Sequence, residues 1–453
     1  MVTPFSLGSA QFKSDYRCRY AYVAGAMYRG IGSADLVIKM GSADLLAFFG
    51  AGGLAPNVIE ENLVRIKSAL GDVKPFGMNL LCNVHEPRAE EEVVDLYLRY
   101  GVQNIEAAAY LQITPALAKF RLRGLARDPS GQVRTSSRVL AKVSRPEVAK
   151  RFLAPVPPRV VQQLLEQRKI TEEQAALAAS VPVADDVCVE SDSGGHTDMG
   201  VALVLLPAVL QLRDEARVEH GYRVRVRVGA AGGIGTPRAA ASMFLMGADF
   251  VLTGSINQCT VESGASELAK DMLEKAGPQD TDYAPSGDMF ELGAQVQVLK
   301  RETFFPARAN KLFELYRRHG SLDEIDPKTA ADLQDKIFKR TFEAIYDDVR
   351  SYFGRRNPAE VERAEKNPKH KMALVFRWYC GLTSAWAIQG DAERKLDFQI
   401  HCGPALGAFN QLVRGTELEP WRRRHVDHLA DFMMGGAADF LNARMADMAG
   451  GTR

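Results

Sequence analysis

The chain has 453 residues, 57 Lys+Arg against 56 Asp+Glu for a formal charge of +1, and 46% hydrophobic residues. That balance leaves no global field to recruit nucleic acid or an anionic membrane, so neither is expected as a partner. No stretch approaches the roughly 18 apolar residues of a membrane span. The first residues also lack a basic segment followed by an apolar core. Six scattered cysteines (Cys18, Cys82, Cys188, Cys259, Cys380 and Cys402) show no CxxC pair and no zinc-type His/Cys spacing. The expectation is a cytoplasmic globular protein with reduced thiols and no metal site.

Short apolar runs alternate with helix-period segments from about residue 21 to about residue 276, the signature of βα units. Strands are predicted at 21–27, 45–50, 75–81, 104–109, 138–144, 186–191, 225–230 and 250–254. Helices are predicted at 57–70, 87–100, 114–125, 145–152, 199–219 and 236–246. Eight strands with helices between them predict an α/β fold, a (β/α)8 TIM barrel in preference to an open doubly wound sheet. Between the fifth and sixth strands, Ala154-Pro155-Val156-Pro157-Pro158 opens a long connection. Its helical composition and Thr171-xx-Gln174 capping box predict a helical insertion at about 155–185. After Tyr283 the βα rhythm fades, and 289–316, 327–356, 371–387 and 402–449 read as helical, the last broken by Gly403-Pro404. Two domains are expected: a barrel at 1–290 and a C-terminal helical region at 291–453.

In a barrel of this kind the active site is built from the loops after the strand C-termini, so the residues closing each strand carry the chemistry. The first strand ends Ala24-Gly25-Ala26-Met27. Its glycine suits a backbone lying close to a flat ring, with Met27 beside it; a tight turn with a core Met fits the same residues. Asn79, closing the third strand, can offer a donor and an acceptor to a heterocycle edge, or bind neighbouring backbone. Lys142 lies inside the apolar run Leu140–Ser144 and must reach the mouth or find a partner. There it would hold a phosphate or stabilise charge on a reduced ring. After the sixth strand, Gly194-Gly195-His196 brings backbone N–H groups and an imidazole that can donate a hydrogen bond or a proton. The best phosphate candidates are Ala231-Gly232-Gly233-Ile234-Gly235 and Thr253-Gly254-Ser255, after the seventh and eighth strands. Thr236-Pro237 supplies a helix start behind the first of these. Neither loop carries a P-loop or a dinucleotide-binding glycine fingerprint.

With these residues placed, the chain resembles the PfaD family, the trans-acting enoyl reductases of polyunsaturated fatty acid and trans-acyltransferase polyketide synthases. That family sits among the flavin-dependent nitronate monooxygenases and flavin-type bacterial enoyl reductases. The broader resemblance lies in Ala24–Met27, Phe76–Asn79, Gly194–His196, Ala230–Ile234 and Thr253–Ser255. The narrower one lies in Glu190–Asp198, Asp282–Glu291, Phe305–Leu312, Arg377–Tyr379, Asp397–Ala405 and Gly407–Asn410. The resemblance implies a barrel that passes hydride from NADPH through FMN to the β-carbon of an α,β-unsaturated thioester on an acyl carrier protein. By the same resemblance, Gly25, Ala26, Met27 and Asn79 contact the isoalloxazine, with Gly195, His196 and Lys142 near it. Ala231, Gly232, Gly233, Gly254 and Ser255 then hold the FMN phosphate. His196 is the first candidate for proton donor and Lys142 the second.

Asp192-Ser193 stands where simpler nitronate monooxygenases have a Glu/Ala pair, which weakens a nitronate-oxidising assignment. The alternatives are a nitronate monooxygenase-like FMN oxidoreductase acting on a free small molecule, and a non-catalytic docking protein of a megasynthase. A basic face for an acidic carrier is sought at Arg301, Arg308, Lys311, Arg317 and Arg318, or at Arg422-Arg423-Arg424. A homodimer stays open.

Overall fold

In the computed structural model, which describes residues 1–83 and 86–450, eight parallel strands close into a barrel. They are β1 (Tyr22–Ala24), β2 (Leu46–Phe49), β3 (Gly77–Leu81), β4 (Asn104–Ala108), β5 (Arg138–Val143), β6 (Asp186–Glu190), β7 (Arg227–Ala231) and β8 (Val251–Thr253). Neighbours in sequence are neighbours in the barrel, and β1 pairs with β8 to close it. Each strand lies within its predicted segment or a residue beyond it. Three of the helices between them start at side-chain caps: Ser33, Thr114 and Thr236 accept from the backbone N–H of Leu36, Leu117 and Ala239. The connection before β6 holds two helices, Pro158–Glu166 and Glu172–Leu177. Its capping box forms as expected, with Gln174 N–H on Thr171 Oγ1 and Thr171 N–H on Gln174 Oε1.

The barrel interior is hydrocarbon at mid-height and charged at both ends. Val23, Leu46, Phe48, Leu140, Cys188, Phe250 and Leu252 fill the middle. Glycine makes room for the two rings: a Cβ on Gly77 would lie 2.2 Å from the Phe48 ring, and one on Gly229 2.4 Å from the Phe250 ring. The N-terminal helix Ala10–Tyr16 joins this core, with Phe12 stacked on Phe250 at 4.6 Å. At the N-terminal end of the strands, Arg227 holds Asp186 with two bonds, Nε to Oδ1 at 2.6 Å and Nη2 to Oδ2 at 2.8 Å. Its Nη1 reaches Asp15, and Tyr16 donates to Asp186 Oδ2 at 2.7 Å. Burial raises the Asp186 carboxyl, while Arg227 and the Tyr16 hydroxyl oppose that rise.

The chain divides into two compact units, one of residues 1–193, 198–264 and 408–453, the other of 194–197 and 265–407. The expected boundary after residue 290 is therefore not where the contacts divide. The C-terminal helix Val426–Met448 belongs to the barrel unit, where it packs on Pro237–Leu245. It buries Leu429, Met433, Met434, Ala437 and Leu441, and Gly436 lets the two helices meet, since a Cβ there would lie 2.8 Å from Pro237.

The second unit contains a three-stranded antiparallel sheet in the order Thr281–Pro285, Gln295–Leu299, Gly195–Thr197. Its helices include Phe305–Arg318, Phe342–Arg356, Pro358–Lys366 and Pro368–Gln389, packed around Phe290, Phe305, Leu312, Phe338, Phe376 and Tyr379. The helical reading of 289–316 needs correction, because 295–299 is the central strand of that sheet and the helix begins only at Phe305. Among the described residues no helix is long and apolar enough to cross a membrane.

Removing one partner of a buried ion pair strands the other charge, at a cost of about 3–5 kcal/mol. Arg227→Met should lower the urea midpoint by an amount equivalent to that loss. An unchanged midpoint would show that the Arg227–Asp186 pair is dispensable to the barrel.

Candidate active site

At the C-terminal end of the barrel strands the interior turns polar again. Register places Asn79 beside Glu106, Lys142 beside Cys188 and Glu190 beside Ala231. Lys142 Nζ lies 3.0 Å from Glu190 Oε1 and 3.9 Å from Glu106 Oε1. Burial works to discharge the ammonium, but Glu190 and Glu106 outweigh it and hold Lys142 above its ordinary range. Glu106 is 1% exposed. Its Oε2 accepts from Ala26 N–H at 3.0 Å, and Oε1 has no hydrogen-bond partner among the described residues. Burial pushes the Glu106 carboxyl up to about 7 against the pull of Lys142 and the Ala26 N–H. Ser193 donates to Glu190 Oε1 at 3.2 Å, which gives the Asp192-Ser193 departure a structural consequence.

Asn79 takes the backbone-binding option. Its Nδ2 donates to the Glu106 carbonyl at 3.0 Å, while Tyr97 donates to the Asn79 carbonyl at 2.7 Å. Gly25 N–H bonds to the Thr253 carbonyl at 3.0 Å, and a Cβ there would strike Leu252 at 2.5 Å. Met27 is half-buried against the main core. Gly232 and Gly233 have φ of +84° and +72°. A Cβ on Gly232 would lie 2.6 Å from the Ser191 carbonyl oxygen, whereas Gly233 and Gly254 face open space. Ser255 opens the short helix Ser255–Gln258. The open glycines, the Lys142 cation and a Glu106 oxygen that has no hydrogen bond among the described residues are what a phosphate-bearing ring cofactor would need. The residues at this mouth fit FMN.

The histidine lies in the other unit. His196 is in the edge strand Gly195–Thr197, where it pairs with Val296, and its side chain is half-exposed. Its Nε2 lies 2.9 Å from Asp288 Oδ1 and 2.8 Å from Ser286 Oγ. His401 Nε2 lies 2.7 Å from Gln399 Nε2. Burial, with the charge of His196 behind it, brings His401 down to about 4. The structure thus gathers Gly25, Ala26, Met27, Asn79, Lys142, Ala231, Gly232, Gly233, Gly254 and Ser255 in the barrel unit, and Gly195 and His196 in the second.

Sequence reading missed Glu106, Glu190, Ser286, Asp288 and His401. The signal for the first two was available, since a carboxylate inside or closing an apolar strand needs a partner as much as Lys142 does. Two charge readings also need correction. Arg424 is 1% exposed and binds the Leu418 and Glu419 carbonyls and Asn410, so Arg422-Arg423-Arg424 is not a basic surface run. Arg301, Arg308 and Arg318 pair with Asp280, Asp397 and Glu314, so their share of the expected docking face is largely neutralised.

The nitronate monooxygenase family model matches residues 11–288, and the model for the inserted helical domain of acyl-carrier-protein S-malonyltransferase matches 319–398. The crystal structure of the enoyl reductase domain of MlnA, from the macrolactin biosynthesis cluster of Bacillus amyloliquefaciens, superposes with a TM-score of 0.94. The two are 45% identical, over 98% of this chain and 99% of that one. Polyketide biosynthesis protein PksE of Bacillus subtilis is 52% identical over 447 residues, 99% of this chain and 58% of PksE. A polyunsaturated fatty acid synthase polypeptide of Thraustochytrium is 43% identical over 418 residues, 91% of this chain and 28% of that polypeptide. The chain thus spans little more than half of PksE and under a third of the Thraustochytrium synthase polypeptide.

Glu106 makes a testable contribution to stability. Its value of about 7 lies above that of an unfolded carboxylate. The folded protein therefore holds a proton that the unfolded chain releases at lower pH, and stability falls as pH rises through about 7. Glu106→Gln abolishes this titration. Thermal melts should show the variant gaining on wild type between about pH 5 and about pH 8; a difference independent of pH would contradict the assignment.

Proposed function

This chain belongs to the nitronate monooxygenase family, in its PfaD branch, and we propose that it is an FMN-dependent enoyl reductase acting in trans. It would use NADPH to reduce an α,β-unsaturated thioester presented by the acyl carrier protein of a polyketide or polyunsaturated fatty acid synthase. The observation that carries this reading is the extent of the match to the MlnA enoyl reductase domain, 98% of one chain and 99% of the other. It includes the helical second unit, most of which lies beyond residue 288, where the nitronate monooxygenase match ends. The match of 319–398 to a domain of an enzyme named for its acyl-carrier-protein substrate adds support. Such a protein would work in the cytoplasm beside its synthase.

When bound, FMN supplies the two-electron relay between NADPH and the thioester. The backbone of Gly25, Ala26 and Met27 would line the ring, together with Asn79 held by the Glu106 carbonyl. Gly232, Gly233, Gly254 and Ser255 would hold the phosphate, where a missing Cβ leaves room at Gly233 and Gly254. Lys142 would present a fixed positive charge to whatever negative charge develops at the mouth, its ammonium kept charged by Glu190 and Glu106. Preorganised charge of this kind acts without reorganisation during the reaction. His196 would supply the α-proton. A nitronate-type oxidation of a free small molecule is the second reading, favoured by the family match over 11–288, but it gives the second unit no task.

The test is NADPH consumption with a carrier-bound 2-enoyl thioester. FMN-loaded protein should turn over and FMN-stripped protein should not. His196→Ala should keep FMN yet lose about a hundredfold in enoyl turnover, the scale of general acid catalysis. Undiminished turnover would remove His196 from the reaction.

A further inference from the structure

Ser286, Asp288 and His196 make a Ser/Asp/His group in the second unit, yet not the relay of a serine hydrolase. In such a relay the serine and the carboxylate engage opposite ring nitrogens. Here Ser286 Oγ and Asp288 Oδ1 both approach Nε2, at 2.8 and 2.9 Å, and the Ser286 hydroxyl also donates to Asp288 Oδ1. The arrangement is braced from behind. Met289 N–H donates to Asp288 Oδ1 at 3.1 Å, and Arg377 Nε donates to the Gly287 carbonyl at 2.9 Å. Gly287 lets this turn press on helix Pro368–Gln389, since a Cβ would lie 2.7 Å from Cys380 Cβ.

A carboxylate held on a ring nitrogen favours the charged ring. Burial tends to raise the Asp288 carboxyl, but its hydrogen bond and charge interaction with His196 hold it well below the usual carboxylate range. His401 also faces His196 in this unit, and burial lowers it to about 4. The facing strand offers only the uncharged Gln295, Val296 and Gln297. Asp288 contacts His196 directly, at 2.9 Å from Nε2.

We propose that Asp288, assisted by Ser286, is a positioning residue that orients His196 through Nε2 and keeps its ring protonated, so that His196 protonates the α-carbon during enoyl reduction. The inference rests on the enoyl reductase reading. As the β-carbon receives the hydride that NADPH supplies, an N–H bond of the imidazolium would break. A C–H bond forms at the α-carbon with the electron pair of the enolate, and the neutral imidazole is reprotonated from water.

Histidine-labelled protein followed by NMR across pH tests this without relying on turnover, the His196 signal being the one lost in His196→Ala. Its titration midpoint should fall by about one pH unit in Asp288→Asn, fall less in Ser286→Ala, and recover in Asp288→Glu. An unchanged midpoint in Asp288→Asn overturns the proposal. In transient kinetics, Asp288→Asn should leave reduction of bound FMN by NADPH at the wild-type rate. Reoxidation by a 2-enoyl thioester should slow about tenfold at alkaline pH and recover on acidification. Reoxidation at the wild-type rate and pH profile also overturns it. If wild type itself is not reoxidised by the thioester, the enoyl reductase reading fails instead, and the NMR midpoint still reports whether Asp288 controls His196.

Discussion

An ammonium group drawn inside a closed barrel must be paired, and the pairing of Lys142 with Glu190 and Glu106 sets what the barrel mouth can be. Desolvating a charge costs several kcal/mol, and only close opposite charges offset it. Two carboxylates against one cation leave an excess of negative charge. Burial, with a smaller push from Glu190, raises the Glu106 carboxyl to about 7, while Glu190 stays closest to the ammonium. The mouth thereby acquires a fixed cation, a carboxyl that exchanges its proton near neutrality, and a buried oxygen without a hydrogen bond among the described residues. The opposite end of the barrel meets the same constraint with Arg227, Asp186, Asp15 and Tyr16, braced by the N-terminal helix. Phe48, Leu140 and Phe250 separate the two charged layers. Chemistry is expected at one end and stability at the other, the usual division in barrels of this type.

The loop after β6 belongs to two structures at once. The chain leaves the barrel at Glu190, contributes Gly195–Thr197 as an edge strand to the sheet of the second unit, and re-enters the barrel unit at Asp198. Asp198 is then tied to the loop after β5 through Ser144 and a two-point bond from Arg145. His196 therefore takes its backbone register from Val296 and its side-chain partners from Ser286 and Asp288. Substitutions in the second unit act on this histidine directly.

What was legible in the sequence follows from the range of the interactions. The eight strands and the insertion are legible because short apolar runs, proline punctuation and the Thr171 capping box are local signals. The strand Gln295–Leu299 has the alternation of a strand, yet it was absorbed into a helix because the pattern continues into Phe305–Arg318. Its true partners are Thr281–Pro285 and Gly195–Thr197, the latter about a hundred residues away, and pairing at that distance leaves no local mark. Lys142 stands out in the sequence as a charge in an apolar strand, and Glu106, one strand earlier, is a charge in the same situation. Arg424 looked like surface charge because a run of arginines gives no hint that backbone carbonyls will satisfy the last of them. The boundary after 290 failed for a similar reason: the C-terminal helix returns to pack on Pro237–Leu245, a contact invisible along the chain.

The central claim is that FMN at this mouth serves a carrier-bound enoyl thioester. The most direct measurement is an anaerobic single turnover, in which FMN-loaded protein is reduced with one equivalent of NADPH and mixed with an enoyl-carrier thioester, while a second sample is left oxidised and mixed with an alkyl nitronate. The account predicts return of oxidised-flavin absorbance with the thioester, matched by an equal amount of saturated acyl-carrier product. Flavin that stays reduced in the presence of the thioester, in protein whose oxidised form is bleached by the nitronate, would contradict it.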